Sequence, residues 1–383
     1  MAAGRRPVTV AATLALYVAR RFAAACLAML AGLTLLVALF DFIELLRRAA
    51  TRPDAGFALV AQIAGLRLPF VAMQLLPFAV LLGGLLAFWR LSRSSELVVA
   101  RAAGVSAWGF LSGPVLVALV LGLVGTIGVS PLSSSMLARA ERLDHAYLRN
   151  ASGLTALAGG RLWLRQADRG LEPGGQAILS GRPVSDRRAG SAAAGGFAMT
   201  DVSLWRLGAN DRPLARVEAP RARLLPGQWV LDDAVVFNAD RSAGPRQAVL
   251  FPTELTPDRI ENSFASPDTL SFWALPGFIE VLEAAGFSAV RHRLHFQTLL
   301  SLPVLAAAMA LLAAGFSMRS SRRGGVARML AAGIAAGFAL FVLDRIAGEF
   351  GEAGTLPVAL AAWAPTVAGL LIALALLLHL EDG

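Results

Sequence analysis

The sequence has no lysine, one cysteine, two tyrosines and four histidines in 383 residues. Each scarcity removes a class of chemistry. Without lysine there is no Walker A phosphate loop, no Schiff base and no kinase-type lysine. If the protein draws on ATP, another chain hydrolyses it. Cys26 stands alone, so no internal disulfide forms, and its apolar surroundings make it read as a small hydrophobe. There is no HExxH, no GxSxG and no metal-spaced cysteine set. His292 and His295, spaced i, i+3, lack a further ligand cluster and read as interfacial packing. Asp232-Asp233 reads as a turn between strands. Charged residues make up only 16%, against about 25% in an average domain. With 56% hydrophobic residues and a mean hydropathy of +0.62, this scarcity excludes disorder, a disulfide scaffold and an ordinary cytosolic enzyme.

What is present is length without charge. A helix crosses a ~30 Å hydrocarbon layer in about 20 residues. Charge-free runs of that order are Phe22–Phe40, Leu68–Trp89, Ala102–Ala138, Leu294–Met318 and Thr355–Leu380. Met329–Leu343 is shorter and extends to Phe350 if Asp344, Arg345 and Glu349 lie at the interface. Six spans in two groups of three leave an insert of roughly Ser133 to Arg293. The first run exceeds the hydrophobic stretch of a signal peptide and lacks a small-residue cleavage site after it, so it reads as a retained span. Arg5-Arg6 and Arg20-Arg21 read as a topogenic flank rather than a twin-arginine signal.

Arginine placement sets an expected orientation. With the N-terminus inside, the short cytoplasmic segments hold eleven arginines against three acids, and the short segments opposite hold five against six. Both termini are then cytoplasmic and the insert is outside. The insert carries 19 arginines and 17 acids. The net charge of +9 therefore belongs mainly to the membrane half, which points to topology and anionic lipid rather than nucleic acid. Within the insert, Arg161–Arg165, Gln176–Leu179, Phe197–Leu207, Arg216–Leu225, Gln228–Asn238 and Arg246–Phe251 are short, partly alternating and separated by turn residues. They predict strands of a sandwich, jelly roll or open barrel. Helical patterns flank the block at Ser133–Asn150 and Ser271–Ala285.

Four charged constellations stand out. Between the second and third spans, Ser94 or Ser95 caps a short helix ended by Gly104, which presents Glu96, Leu97 and Arg101 to a groove on a soluble partner. At the end of span one lie Asp41, Glu44, Arg47 and Arg48. Ionisable residues at that depth face a cavity or a partner, and arginine forks suit phosphate oxygens. Arg139 and Arg142 share a face of the helix leaving span three. Asp344 and Arg345 near the end of span five read as an internal salt bridge or a gate.

These residues resemble the lipopolysaccharide export permease family (YjgP/YjgQ, LptF/LptG), its LptG branch more than its LptF branch. The resemblance rests on Asp41–Ala49, Ser95–Gly104, Leu255–Arg259 with Pro267–Leu270, and Val342–Ile346. It covers essentially the whole chain and is weakest in the β insert. It implies an α-helical membrane protein with six transmembrane helices (3+3) and a periplasmic all-β jelly-roll-like domain between helices three and four. The implied segments are 1–138, with a coupling helix at about 93–104, then 139–290 and 291–383. It implies a transporter subunit of the Gram-negative inner membrane without a cofactor of its own, ATP and magnesium being bound by a partner. The implied partners are an LptF-like permease, an LptB-like ATPase dimer, an LptC-like single-span protein, an LptA-like periplasmic bridge and lipopolysaccharide. Glu96 falls on the family's coupling-helix glutamate, with Leu97, Arg101 and Gly104 around it. Arg47 and Arg48 fall on a basic pair of the lipopolysaccharide cavity, and Arg139 and Arg142 lie near positions of similar role. Asp41 departs from members that carry lysine there, and pairing with an arginine such as Arg48 is expected for it. An LptF-type paralogue, a membrane-anchored sensor or scaffold with a β domain, and a lipid-acting intramembrane enzyme are the alternative readings.

Overall fold

Backbone amides in lipid must be satisfied within the segment, so long apolar runs become helices. The computed structural model describes residues 6–52, 56–93, 107–148, 155–158, 161–168, 175–184, 197–208, 212–238, 242–253, 255–256, 260, 266–284, 287–319 and 326–381. It divides into two units. One comprises Met1–Asp144, Asp268–Leu275 and Val290–Gly383, and the other His145–Pro267 and Pro276–Ala289.

The first unit is helical. It contains α1 (Arg6–Ala49), α2 (Phe57–Arg93) and α3 (Ala107–Val124), which passes through a π-turn at Gly125–Val129 into α4 (Ser130–Leu143). A second π-turn, Asp144–Leu148, follows α4 and leads out of this unit. After the second unit, whose short helix α5 is Leu275–Ala284, come α6 (Val290–Arg319), α7 (Val326–Glu352) and α8 (Val358–Glu381). Six of these helical stretches, α3 and α4 counting as one, are long and apolar enough to cross a membrane. Each coincides with one of the six expected spans. They overshoot them: α1 has 44 residues, about 66 Å at 1.5 Å per residue, roughly twice the hydrocarbon thickness.

The core of this unit joins Phe22 and Cys26 of α1, Leu81, Leu85 and Phe88 of α2, Phe110 of α3, Met309 and Leu312 of α6, Leu340 of α7 and Leu377 of α8. Phe22 and Phe88 meet with ring centroids 5.7 Å apart. Helix α6 is the axis, with 72% of its most apolar stretch buried, against 11% for α1. In a medium as apolar as leucine, helices associate through close backbone approach at small residues. Glycines provide it, Gly83 and Gly122 among them. A Cβ on Gly83 of α2 would lie 2.6 Å from Cys26 Cα, and one on Gly122 of α3 would lie 2.4 Å from Pro303 Cα. Polar side chains add ties, Thr126 donating to the Leu299 carbonyl (2.8 Å) and Trp363 Nε1 to Gln297 Oε1 (3.1 Å).

The second unit is built on one antiparallel sheet of β1 (Thr155–Ala158), β2 (Arg161–Ala167), β3 (Gln176–Val184), β4 (Ala198–Leu207), β5 (Pro213–Leu225), β6 (Gln228–Asn238) and β7 (Gln247–Pro252). The six expected runs are β2 to β7. β1 escapes the pattern because Thr-Ala-Leu-Ala has little of the β-branched or aromatic character that marks strands. The strand order is sequential, a meander. A jelly roll has Greek-key crossovers; the described strands contain none, and what they show is an antiparallel meander. Alternation sets the faces: Leu162, Leu164, Leu179, Leu204 and Val217 are buried, while Trp163 and Trp205 project oppositely and stack at 5.6 Å, with Arg216 over Trp205. The sheet curls, for Gln166 of β2 donates to the Pro252 carbonyl of β7 (3.1 Å) and accepts from Thr253 (2.6 Å). Asp232-Asp233, expected at a turn, lies inside β6. Asp233 has φ 50 at a register break, and Asp232 accepts two hydrogen bonds from Arg223. The turn falls instead at Gly227, whose φ of 82 suits glycine.

Candidate functional site

The last turns of α1 carry Asp41, Glu44, Arg47 and Arg48, and i, i+3 and i, i+4 neighbours on a helix face one another. Glu44 is the hub. It accepts from Arg47 Nε (2.8 Å) and NH2 (3.0 Å), and from Arg48 Nε (2.9 Å). The Arg47 side chain remains 78% exposed, so its guanidinium is presented outward while tethered to Glu44.

Asp41 does not pair with Arg48. Seven residues put those two on one face but about 10 Å apart along the axis, and Glu44, four residues from Arg48, captures it. Asp41 instead accepts from Arg67 NH1 of α2 (3.0 Å), and Arg67 NH2 lies 3.5 Å from Asp144 Oδ2, just past α4. Asp144 is 2% exposed, Arg67 19% and Asp41 29%. This Asp–Arg–Asp triad joins α1, α2 and the end of α4. Its sequence signal was slight: Arg67 is the one charge inside the apolar stretch Phe57–Trp89. With Glu44, Arg47 and Arg48 it brings three acids and three arginines to one end of the helical unit.

Arg139 and Arg142 are exposed and share a face of α4, without an ion pair to any described residue. Asp144 is buried on nearly the opposite side, two residues and about 200° from Arg142. On α7, Asp344 is half-buried and Arg345 exposed. As sequence neighbours they diverge by about 100°, and the internal salt bridge expected as one option is not formed among the described residues. The expected coupling segment with Glu96, Leu97, Arg101 and Gly104 lies outside the described residues. Before it, Arg93 sits over the Trp89 ring at 5.8 Å. His292 is buried, and His295 Nδ1 lies 3.4 Å from Asp268 Oδ1.

Sequence reasoning also missed a polar cluster in the sheet unit. Arg206 of β4 donates to both carboxylate oxygens of Asp168 (2.5 and 2.9 Å) and stacks over Phe251 of β7 at 5.5 Å. Asp168 is 4% exposed. Asp168 follows β2 and Arg206 lies on β4, so the pair reaches across β3 in the sheet order.

Six apolar helices in two groups of three, with charge pairs at their ends and a β unit inserted between the groups, define a multi-pass membrane protein of the 3+3 kind. The arrangement has a known counterpart. The chain belongs to the lipopolysaccharide export system permease LptF/LptG family, whose model matches residues 16–379. It is similar to the lipopolysaccharide export system permease protein LptG of Escherichia coli (strain K12), 27% identical over 312 residues, covering 79% of this chain and 81% of that protein. The protein of the same name from Haemophilus influenzae (strain ATCC 51907 / DSM 11121 / KW20 / Rd) is 24% identical over 361 residues, covering 93% and 95%.

Proposed function

We propose that this chain is the LptG-type transmembrane subunit of an ABC transporter in the Gram-negative inner membrane. It extracts lipopolysaccharide from the outer leaflet and passes it to a periplasmic bridge. The family match over residues 16–379 carries this reading. The subunit pairs with an LptF-like permease, and an LptB-like ATPase dimer binds ATP and magnesium and supplies the work. An LptC-like single-span protein sits beside span one, and an LptA-like bridge receives the lipid. No cofactor is assigned to this chain and no nucleic acid is a partner. The termini are cytoplasmic. Residues 1–138 and 291–383 form the membrane halves, and 139–290 the periplasmic domain.

In this reading Arg47, Arg48, Arg139 and Arg142 rim the cavity and hold phosphates, while apolar walls hold acyl chains. One arginine–phosphate hydrogen bond contributes about 1.5–3 kcal/mol. A chain of a dozen buried CH₂ groups at ~0.8 kcal/mol each contributes more, so the arginines orient the headgroup and the acyl chains dominate retention. Extraction then needs external work, which fits a driven partner. Glu44 tempers the rim by holding Arg47 and Arg48 in place. Glu96, with Leu97, Arg101 and Gly104, transmits ATPase closure, and Asp344 and Arg345 belong to the lateral gate.

Affinity purification from solubilised inner membrane, followed by mass spectrometry of proteins and lipids, tests this. A second 3+3 permease, an ATPase in twofold ratio and bound lipopolysaccharide are expected. A chain that purifies without an ATPase and with ordinary phospholipid, under conditions that preserve complexes, refutes the reading.

A further inference from the structure

Helix α1 is held unevenly. Val18, Ala19, Phe22 and Cys26 are buried in its first half, and Leu45 and Ala49 at its end. Between them, none of the eighteen residues 27–44 is buried. Such a stretch, with little packing of its own, leans on discrete contacts. Among the described residues the polar tie from it to α2 is the Asp41–Arg67 pair, accompanied by an edge-on contact of Phe42 with Phe57 at 5.7 Å. Arg67 is in turn fixed from the other side by Asp144.

The two acids differ in accessibility. Asp144, 2% exposed, is the anchored partner, while Asp41, 29% exposed, is the one that can let go. The triad has two carboxylates for one guanidinium. Loss of the Asp41 contact leaves Arg67 beside the buried Asp144, whereas loss of Arg67 removes a cation from beside that buried acid. The geometry is that of a catch with one fixed and one releasable side.

We propose that Arg67 is a positioning residue for transport, and that Asp41–Arg67–Asp144 is an ionic latch holding the loosely packed part of α1 against α2 and α4. The transport it serves rests on the reading above; the latch itself does not. Closed, the latch keeps residues 27–44 seated. When Asp41 leaves Arg67, residues 27–44 shift from α2, with Cys26 packed before them and Leu45 and Ala49 loosened from their packing after them. The same helix carries the Glu44–Arg47–Arg48 cluster one turn further on, so release of the latch also moves those arginines.

The test is a pulsed electron-spin distance measurement on the full chain, co-purified with its partners in lipid nanodiscs. Spin labels go on Ile43→Cys of α1 and Gln62→Cys of α2, both exposed, in a Cys26→Ser background. The native triad gives one narrow distribution. Asp41→Asn moves the population toward longer separations by at least tenfold, which corresponds to about 1.4 kcal/mol. Asp41→Glu keeps the narrow distribution. An Asp41→Asn distribution equal to the native one overturns the latch, and so does an Asp41→Glu distribution shifted as far as that of Asp41→Asn. The readout is helix separation and not transport, so it stands even if lipopolysaccharide proves to be the wrong cargo.

Discussion

Gly83→Ala is the sharpest test of how α1 is seated. The added carbon would lie 2.6 Å from Cys26 Cα, 2.8 Å from Cys26 N and 2.9 Å from the Ala25 carbonyl oxygen. All three are backbone atoms, so no side-chain rotation makes room. Carbon contacts are comfortable at about 3.5–4.0 Å, so the two helices must part by about 1 Å. Overpacking of this kind costs about 1–3 kcal/mol. The better helix propensity of alanine returns about 0.5–1 kcal/mol, leaving a net loss on the order of 1–2 kcal/mol. Gly32 of α1 is the control, since its added carbon meets nothing within 4 Å and Gly32→Ala keeps only the propensity gain. Cys26 is the sole thiol and is buried beside the contact, so a thiol-reactive fluorophore on heating reports its exposure directly. At about 2–4 °C per kcal/mol, Gly83→Ala should lower the labelling midpoint by roughly 2–8 °C, and Gly32→Ala should hold or raise it. Equal midpoints for Gly83→Ala and the native chain would refute the close α1–α2 crossing.

Three further outcomes follow from named contacts. Arg206→Ala takes the bidentate partner from the nearly buried Asp168 and should destabilise the sheet unit, seen as earlier proteolytic cleavage within 145–267 on heating; cleavage at the native temperature would contradict it. Glu44→Gln frees the Arg47 and Arg48 guanidiniums from their exposed pairs with Glu44, so retention of lipopolysaccharide on the immobilised complex should rise slightly, whereas Arg47→Ala should lower it. Glu96→Arg should abolish co-purification of the ATPase while leaving the chain folded, and an unchanged ATPase yield would remove Glu96 from the coupling role.

The spans and strands were legible because each follows a period the residues impose. A charge-free run of some 20 residues admits only a helix in lipid, and Leu162, Leu164 with Trp163 between them can only alternate faces. β1 was hidden because its Thr-Ala-Leu-Ala has no such contrast and owes its place to pairing with β2. The site was legible only where it is local. Glu44 with Arg47 and Arg48 follows from helix spacing alone. Arg67 meeting Asp41 across 26 residues, and Arg206 meeting Asp168 across 38, depend on how elements pack, and no window of sequence contains that information. The same limit produced the wrong partner for Asp41, since the face was right and the distance along the axis was not weighed against Glu44.

Exposure along the six helices bears on the subunit-pair reading in a particular way. Leucines and phenylalanines on the outer faces of α1 and α7, such as Leu35, Phe40, Phe338 and Phe341, are equally content against lipid or another helix, and so do not discriminate. Ionisable groups do. Asp344 and Arg345 lie eight and seven residues before the end of α7, diverge around the helix and have no ion-pair partner among the described residues. A charge at that depth facing hydrocarbon costs several kcal/mol, and such residues face a cavity or a neighbouring protein. Asp41, Glu44 and the arginines beside them satisfy much of that demand among themselves, so the α1 end can stand alone. At the α7 end Glu352 pairs with Arg291, and on the proposed function Asp344 and Arg345 would meet a second permease subunit or a water-filled cavity.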